Sequence, residues 1–183
     1  MKVALASRSP RRRELLEQID IEYEIIDIDI DESWKENETP IDYVRRIAEE
    51  KARTGKTLLN SNLPVLAADT AVVLDGHVLG KAENKEDAIA MLTKLSGKSH
   101  EVLSAVTVID KEEQTKVSIS KVTFKQLSSE EIETYAESDE PIGKAGGYAI
   151  QGKAAVFIER LEGSYSGVMG LPLFETQELL NLN

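Results

Sequence analysis

Asp69 is the residue whose position in this sequence most strongly suggests chemistry. It interrupts residues 63–73, the most apolar run in the chain, which has the composition of a buried central strand. A charge inside such a strand costs several kcal/mol unless it is paired or binds a metal. The alternative is a carboxylate at a strand end that accepts backbone N–H groups. A functional carboxylate is the interpretation that we favour.

Glu32 is a second acidic candidate. It follows residues 21–30, where apolar and polar side chains alternate as in a strand. In so acidic a protein a single glutamate is usually just exposed. Together, however, Glu32 and Asp69 offer ligands for a hard divalent cation, since Mg²⁺ typically binds one or two carboxylates plus substrate phosphates. The pair is therefore a candidate metal site.

Residues 3–19 place hydroxyl and guanidinium groups at a predicted strand-to-helix turn. Ser9 and Pro10 suit the N-cap and the first position of a helix. A helix N-terminus attracts anions through its N–H groups and its partial positive charge. Arg8 and the arginines at 11–13 are positive as well, so they are unfavourable beside the helix N-terminus. This indicates that a bound anion compensates their charge. A solvated basic helix start is the alternative, and the convergence of these groups favours an anion site.

Two lysines are weaker candidates. Lys81 lies in residues 76–82, GHVLGKA, which look like a Walker A motif but are one residue too short. Ala82 also replaces the Ser or Thr that would meet Mg²⁺. Lys81 can still contact a phosphate as a point charge, although a solvated lysine is the better interpretation for Lys81 or Lys51 taken alone.

The composition narrows the class of ligand. The chain has 183 residues, of which 41% are hydrophobic and 30% charged, and its net charge is -11. That charge disfavours general nucleic-acid binding, which needs broad positive potential, and it favours one small, highly charged anion at the basic loop. The absence of cysteine excludes disulfides, thiolate metal sites and a cysteine nucleophile. We expect a cytoplasmic protein without signal peptide or membrane span.

The remaining pattern predicts the elements that position these residues. Further strands are expected at residues 77–79, 100–109, 115–127 and 154–161, with a hairpin turn at Asp75-Gly76. Helices are expected at about 40–54, after a capping box at Thr39, and at 84–95, 128–135 and 171–179. Residues 140–152 are rich in glycine, so their backbone can approach a ligand closely. The pattern predicts a single α/β domain, residues 1–183, with a mixed, partly antiparallel sheet.

Seven short motifs occur in a fixed order along the chain. They are ASRSPRR at 6–12, EEKA at 49–52, ADT at 68–70, LGK at 79–81, LSG at 95–97, KAGGYAIQG at 144–152 and VMGLP at 168–172. Each is weak alone, and the ordered series is highly specific. By these motifs the sequence resembles the Maf-type nucleoside triphosphate pyrophosphatases over nearly its whole length. The ADT and IQG pieces look most like the branch that acts on dTTP and UTP.

The resemblance implies a mixed sheet in two lobes around a deep cleft, usually in a homodimer. It implies release of pyrophosphate from a nucleoside triphosphate with a divalent metal, Mg²⁺ or Mn²⁺. Asp69 matches the family's proton acceptor. The resemblance assigns the phosphate and metal shell to Ser7, Arg12, Glu32, Lys51 and Lys81. It assigns base choice to Arg11, Thr70 and Gln151. The family is also linked to control of septum formation.

Two positions depart from the family pattern. Ala82 stands where the family usually has Pro, and Gly143 where it usually has Asp. Neither residue carries the proposed chemistry, so the departures concern loop geometry. The chemistry itself is consistent with the residues present. Arginines, lysines and a metal can neutralise the phosphates, and a carboxylate base can activate water.

Two other classes of function remain open. A nucleotide sensor that contacts a partner without turnover would use the same basic loop, although a bare buried carboxylate would repel a triphosphate unless a metal lay between them. A nucleic-acid protein that uses residues 8–13 is disfavoured by the net charge. Modified pyrimidine nucleotides are further candidate substrates within the first interpretation.

Overall fold

The computed structural model describes residues 1–181, and a seven-stranded sheet forms their centre. The strands are β1 (Lys2–Leu5), β2 (Glu22–Ile25), β3 (Val65–Leu74), β4 (His77–Leu79), β5 (Ser99–Ile109), β6 (Glu113–Phe124) and β7 (Ile158–Glu162). Their order is β2-β1-β3-β5-β6-β7, with β4 beside β3. β1 is parallel to β2 and β3, and the other pairs are antiparallel. The expectation of a mixed, partly antiparallel sheet is confirmed.

Helices cover both faces of the sheet. They are α1 (Pro10–Gln18), α2 (Pro40–Leu58), α3 (Lys85–Leu95), α4 (Ser129–Ala136), α5 (Tyr165–Met169) and α6 (Leu173–Leu179). A 3₁₀ helix, Lys153–Phe157, precedes β7. None of the helices in the described part of the chain is both long enough and apolar enough to cross a bilayer.

The two faces of β3 pack against different helices, because side chains alternate along a strand. Ala71 and Val73 pack with Val44 and Ala48 of α2. Leu66 and Ala68 pack on the opposite face with α1 and α6. Adjacent residues of β3 therefore pack against helices on opposite faces of the sheet.

The middle of β3 lacks a neighbouring strand on one edge. β1 pairs with β3 only through Ala4 and Leu5, opposite Val65 and Leu66. On the same edge, β4 first pairs at Val72. Residues 67–71 therefore border a gap in the sheet, and both faces of β3 contribute side chains to it.

Several predicted turns and caps are confirmed. Asp75 and Gly76 both have positive φ, 51° and 78°, as the two central residues of a type I′ hairpin turn require. Asn84 caps α3 by accepting a hydrogen bond from Asp87 N at 2.8 Å. At α2, Thr39 Oγ1 accepts from Asp42 N at 3.2 Å. The Asp42 carboxylate accepts from the Thr39 hydroxyl, so only one half of the predicted capping box forms.

Several predicted boundaries are wrong, including the end of β6, which lies at Phe124 instead of residue 127. β2 ends at Ile25 instead of residue 30, because each of its residues pairs with one of the four residues of β1 and no further partner follows. The strand predicted at residues 154–161 starts only at Ile158, because residues 153–157 form a 3₁₀ helix in which two N–H groups bind the Glu140 carboxylate. α2 continues to Leu58 instead of residue 54. The short helix α5 was not predicted.

Candidate active site

The gap beside β3 opens into a cleft with a volume of about 750 Å³. Its walls come from the β1–α1 loop, α2, the middle of β3, the glycine-rich loop and the turn after α5. The structure brings together every site residue named from the sequence, namely Ser7, Arg11, Arg12, Glu32, Lys51, Asp69, Thr70, Lys81 and Gln151. Their placement agrees with the sequence-based expectation, and their roles remain predictions.

A chain of alternating charges crosses the cleft. Lys51 Nζ lies 2.9 Å from Asp69 Oδ1 and 2.8 Å from Glu32 Oε1. Lys81 Nζ lies 3.1 Å from the other Glu32 oxygen. The side chains of Lys51 and Asp69 are each only 9% exposed. The charge within the apolar strand is thus tolerated because a buried ammonium neutralises it.

Small residues allow α2 to bring Lys51 this close to β3. Ala48 and Ala52 lie on the buried face of α2 on either side of Lys51. One turn further, a Cβ on Gly55 would stand 2.8 Å from Ala6 Cβ. A larger residue there would push the helix from the sheet and lengthen the contact between Lys51 and Asp69.

Glu32 is held as a carboxylate. Burial alone raises its pKa, but the charges and hydrogen bonds of Lys51 and Lys81 outweigh burial and lower the pKa to about 2. Glu32 lies outside any strand, in the irregular segment after β2. Tyr43 of α2 stabilises this segment, since its hydroxyl donates to the Glu32 carbonyl at 3.0 Å. Glu32 therefore remains anionic across the physiological pH range.

Arg12 is fixed at the mouth of the β1–α1 loop. Its Nε donates to the Gly170 carbonyl at 2.8 Å, and Nη1 donates to Ser7 Oγ at 3.0 Å. Ser7 Oγ also accepts from Ser9 N at 3.2 Å. Ser9 occupies the predicted N-cap position, but its side chain makes no capping bond, so capping by the Ser9 hydroxyl is wrong. The loop therefore presents a preoriented guanidinium beside the start of α1.

Arg11 faces a different part of the cleft. Its Nε is buried and has no hydrogen-bond partner among residues 1–181. Burial lowers its pKa. Burial, and next the charge of Arg11, lower the pKa of Lys144 on the opposite glycine-rich loop. Two cations that face each other in this way favour an anion between them.

A network around Glu140 supports the glycine-rich loop, which carries Gln151. The Glu140 carboxylate accepts hydrogen bonds from Lys153 N at 3.0 Å and from Ala154 N at 3.3 Å. It also accepts from the Tyr135 hydroxyl at 2.8 Å, and that hydroxyl in turn accepts from Ala149 N at 3.2 Å. The loop is thus held at both ends by one carboxylate and one phenol.

The wall of the cleft at β3 contains Thr70, which contacts a buried serine that was not among the predicted site residues. Thr70 Oγ1 lies 2.8 Å from Ser104 Oγ on the neighbouring strand. Ser104 interrupts an apolar strand in the same manner as Asp69, so the search for polar residues in buried strands would have found it. Glu140 and Tyr135 were also missed, because their partners are backbone groups that a sequence does not reveal.

The carboxylates present fit a metal that arrives with its substrate. Within residues 1–181, no group of three or more His, Cys, Asp or Glu side chains is arranged to hold an ion. Glu32 and Asp69 flank a lysine, and two carboxylates complete a Mg²⁺ shell only together with phosphate oxygens and water. The donor set therefore suits a cation that binds together with phosphate groups more than a permanently bound one.

Comparison with known proteins yields a family and close relatives. The family model described as Maf-like protein matches residues 2–182. A protein of Alkalilimnicola ehrlichii named dTTP/UTP pyrophosphatase is 53% identical, over 98% of this chain and 91% of its own. A protein of Aliivibrio fischeri with the same name is 47% identical, over 98% and 97%. Among solved structures, the Staphylococcus aureus Ham1 protein matches with a TM-score of 0.48 and 18% identity, over 68% of this chain and 71% of that one.

Proposed function

The chain belongs to the Maf family, and on that premise we propose that it hydrolyses dTTP and UTP to the nucleoside monophosphate and pyrophosphate. Relatives that carry the name dTTP/UTP pyrophosphatase align with 98% of the chain at about half identity. The observation that carries the proposal is the position of Asp69, a buried carboxylate at a gap in the sheet, surrounded by cations.

In the proposed reaction, water attacks the α-phosphorus and pyrophosphate leaves. Asp69 accepts the proton of the water, as a positioned carboxylate base can. Arg12 and Lys51 offset charge on the phosphates, which is the main need of phosphoryl transfer. Lys81, whose side chain is 58% exposed, exchanges Glu32 for a phosphate oxygen. A divalent cation, when bound with the nucleotide, supplies further charge neutralisation at Glu32 and Asp69.

The proposal also includes features that rest on the family resemblance. These are Mg²⁺ or Mn²⁺ as the metal, a homodimeric assembly and a cytoplasmic location. Modified pyrimidine triphosphates belong to the proposed substrate class, because they share the phosphates and most of the base edge. A link to the control of cell division completes the proposal.

One observation favours a second candidate, a nucleotide sensor without turnover. The sequence alone suggests that a bare Asp69 would repel a triphosphate. In the structure, Lys51 neutralises Asp69 at 2.9 Å, so the cleft can accept an anion even if Asp69 never takes a proton. The two candidates therefore differ in turnover and not in binding.

A product assay in water enriched in heavy oxygen tests both candidates. The purified protein is incubated with dTTP, UTP, CTP or GTP, with Mg²⁺, with Mn²⁺ or with EDTA. We expect metal-dependent release of pyrophosphate from dTTP and UTP, with the heavy oxygen in the monophosphate. Heavy oxygen in pyrophosphate would place the attack at the β-phosphorus, and release of orthophosphate with a diphosphate would contradict the proposal. Tight binding of UTP without any product would favour the sensor.

A further inference from the structure

Two hydroxyl groups meet where the cleft borders the sheet. Thr70 of β3 and Ser104 of β5 are directly opposite in the antiparallel register, and their oxygens are 2.8 Å apart. Ser104 is only 1% exposed. Its Oγ also lies 2.6 Å from the carbonyl oxygen of Gly167 in α5. Thr70 lines the cleft, whereas Ser104 lies behind it.

The direction of these hydrogen bonds follows from the number of protons. A carbonyl oxygen only accepts, so the bond to Gly167 requires that Ser104 donates its single hydroxyl proton there. Ser104 can then only accept from Thr70, and Thr70 must donate its own proton to Ser104. The Gly167 carbonyl also accepts from Gly170 N at 3.0 Å, so both of its lone pairs are used. The three groups form one chain with a fixed direction.

Thr70 consequently presents lone pairs, and no proton, to the cleft. We propose that Ser104 is a positioning residue for base recognition, because it fixes Thr70 as an acceptor for the N3–H group of uracil and thymine. This inference rests on the proposed function and on the role in base choice that the family resemblance assigns to Thr70, which lines the cleft. It assigns Ser104 a role in the selection between pyrimidines, through the orientation of a hydroxyl group that it contacts directly.

The fixed direction discriminates between pyrimidines of equal size. Uracil and thymine carry a proton on N3, whereas cytosine carries a lone pair there. A cytosine in the same pose would place two acceptors against each other and leave both unsatisfied. Sites built to bond a particular N–H or O–H group reject analogues that lack it far better than apolar pockets reject a difference in size. The bases of UTP and dTTP both carry the N3 proton, which matches the proposed pair of substrates.

The same turn connects base recognition to the phosphate site. Gly167 and Gly170 lie in α5 and directly after it. The carbonyl of Gly167 holds Ser104, and the carbonyl of Gly170 holds Arg12 at 2.8 Å. Thr70 and Arg12 are therefore positioned by one backbone segment, so a base bound at Thr70 has a defined distance to the predicted phosphate ligand.

The Ser104→Ala variant tests the role of Ser104. Without Ser104 Oγ, the Thr70 hydroxyl can rotate and donate to N3 of cytosine. We expect the ratio of kcat/KM for UTP to that for CTP to fall at least about tenfold. Ser104→Cys preserves more of the side-chain volume, but a thiol is a weak acceptor, so we expect a fall in the same direction. It serves as the second variant if Ser104→Ala does not fold.

The matched control is Ser120→Ala. Ser120 is another buried serine of the sheet, and its hydroxyl donates to the carbonyl of Ser164, next to α5, at 3.3 Å. Its removal loosens the same helix but leaves the bond between Thr70 and Ser104 intact. We expect the ratio of kcat/KM for UTP to that for CTP to stay unchanged in this variant. Equal losses for both nucleotides in Ser104→Ala would mean a purely structural role and would overturn the inference.

A substrate analogue tests the acceptor role of Thr70 without any mutation. UTP methylated at N3 lacks the proton, and we expect its kcat/KM to be at least about a hundredfold lower than that of UTP. UTP methylated at C5, the position of the thymine methyl, is the control for added volume. Equal turnover of the N3-methyl analogue and UTP would overturn the inference and leave the proposed function intact. Absence of UTP turnover in the wild-type protein would instead contradict the proposed function.

Discussion

At the scale of single residues, Asp69 shows how the folded structure offsets the free-energy cost of burying a charge. An aspartate within an apolar strand requires a partner, and the partner is Lys51, eighteen residues away on α2. The spacing of charged residues in the sequence gives no reason to prefer Lys51 over its neighbours. Only the small residues of α2 and the packing of that helix on β3 make Lys51 the cation that reaches the strand.

We predict that Asp69→Asn removes most turnover and preserves the fold. The amide is a poor base and a poorer metal ligand, and loss of a general base typically lowers the rate by about 10²–10⁴. Lys51 keeps its bond to Glu32 at 2.8 Å, so its charge does not become isolated. The measurements are kcat for UTP and the thermal unfolding temperature. Glu50→Gln, an exchange on the same α2 helix but outside the cleft, is the control, and near-normal turnover in Asp69→Asn would exclude Asp69 from the mechanism.

We also predict that Arg11 and Arg12 have separable roles. Side chains of successive residues in a helix diverge by about 100°. Arg12 donates a hydrogen bond to the Gly170 carbonyl, whereas burial, and next the charge of Arg11, lower the pKa of Lys144. Arg12→Ala should lower kcat/KM for dTTP, UTP, CTP and GTP by similar factors, because all share the phosphates. Arg11→Ala should change the ratios between them, and lysine should rescue neither variant fully if the contacts are bidentate.

The control for this pair is Arg13→Ala. Arg13 belongs to the same basic run, but it donates to the Arg8 carbonyl at 2.9 Å and does not line the cleft. We expect this variant to keep the kinetics of the wild-type protein. Parallel losses with unchanged ratios in both Arg11→Ala and Arg12→Ala would show that Arg11 is a further phosphate ligand, and base choice would then lie with Thr70 and Gln151.

The sequence could predict the site residues that bear unusual chemistry, but not the residues that orient them. The arginine loop and the interrupted strand at Asp69 are visible because their composition departs from their surroundings. Glu140 and Ser104 act through backbone groups of distant segments. Their partners come close only after the sheet has formed, so no local pattern marks them.

At the scale of elements, local signals were reliable where the interaction is local. The hairpin turn at Asp75 and the cap at Asn84 depend on residues within three positions of each other. The end of β2 depends on where β1 ends, and alternation of side chains continues beyond it. Strand length is set by an available partner, and that information is not local.

The glycine-rich loop supplies a prediction at this scale. Glu140→Gln leaves one oxygen where the carboxylate offers two, so it cannot satisfy both backbone N–H groups and the Tyr135 hydroxyl. We expect a loss of about 1–3 kcal/mol in the free energy of unfolding. We also expect faster amide hydrogen exchange at residues 143–152 and a several-fold lower kcat/KM for UTP.

Glu137→Gln provides the comparison. Glu137 lies three residues earlier and forms an exposed ion pair with Lys85 at 2.9 Å. Exposed pairs contribute little to stability, so we expect a change below about 1 kcal/mol and normal exchange in the loop. Equal behaviour of the two variants would show that the Glu140 network does not hold the loop in place.

At the scale of the whole molecule, the charge of the cleft differs from that of the protein. The chain carries a net charge of -11, yet six basic side chains line the cleft against five acidic ones. The cleft is therefore nearly balanced in an otherwise acidic protein. A triphosphate that enters it brings several negative charges, and the excess supports the proposal that a divalent cation accompanies the substrate.

A second property of the whole molecule is an aromatic core with a buried histidine. His100 is 3% exposed and packs against Phe124 and Tyr148. Its Nε2 lies 2.7 Å from the Tyr148 hydroxyl, while Nδ1 has no partner among the described residues. Burial lowers the pKa of His100 from 6.5 to about 4. The native protein therefore contains a neutral imidazole under conditions in which an exposed histidine takes a proton.

This histidine predicts how stability depends on pH. Between pH 6.5 and 4 the unfolded chain binds a proton at His100 and the native protein does not, so stability falls as the pH falls. We expect a loss of about 2 kcal/mol in the free energy of unfolding from pH 7.5 to pH 5. His100→Gln cannot titrate and keeps an amide near Tyr148, so this part of the loss should disappear. Urea unfolding at both pH values measures it.

The chosen pH window separates the titration of His100 from that of Glu32 in the cleft. Glu32 has its pKa lowered to about 2, so its contribution to stability is lost only as the pH falls from about 4.5 towards 2. The control is His77→Gln, because His77 is exposed beside the β3–β4 turn. This variant keeps His100, so the part of the loss that comes from His100 should remain. An identical loss in His100→Gln and the wild-type protein would mean that the imidazole takes its proton in the folded core, and the aromatic cluster would then have to accommodate a buried charge.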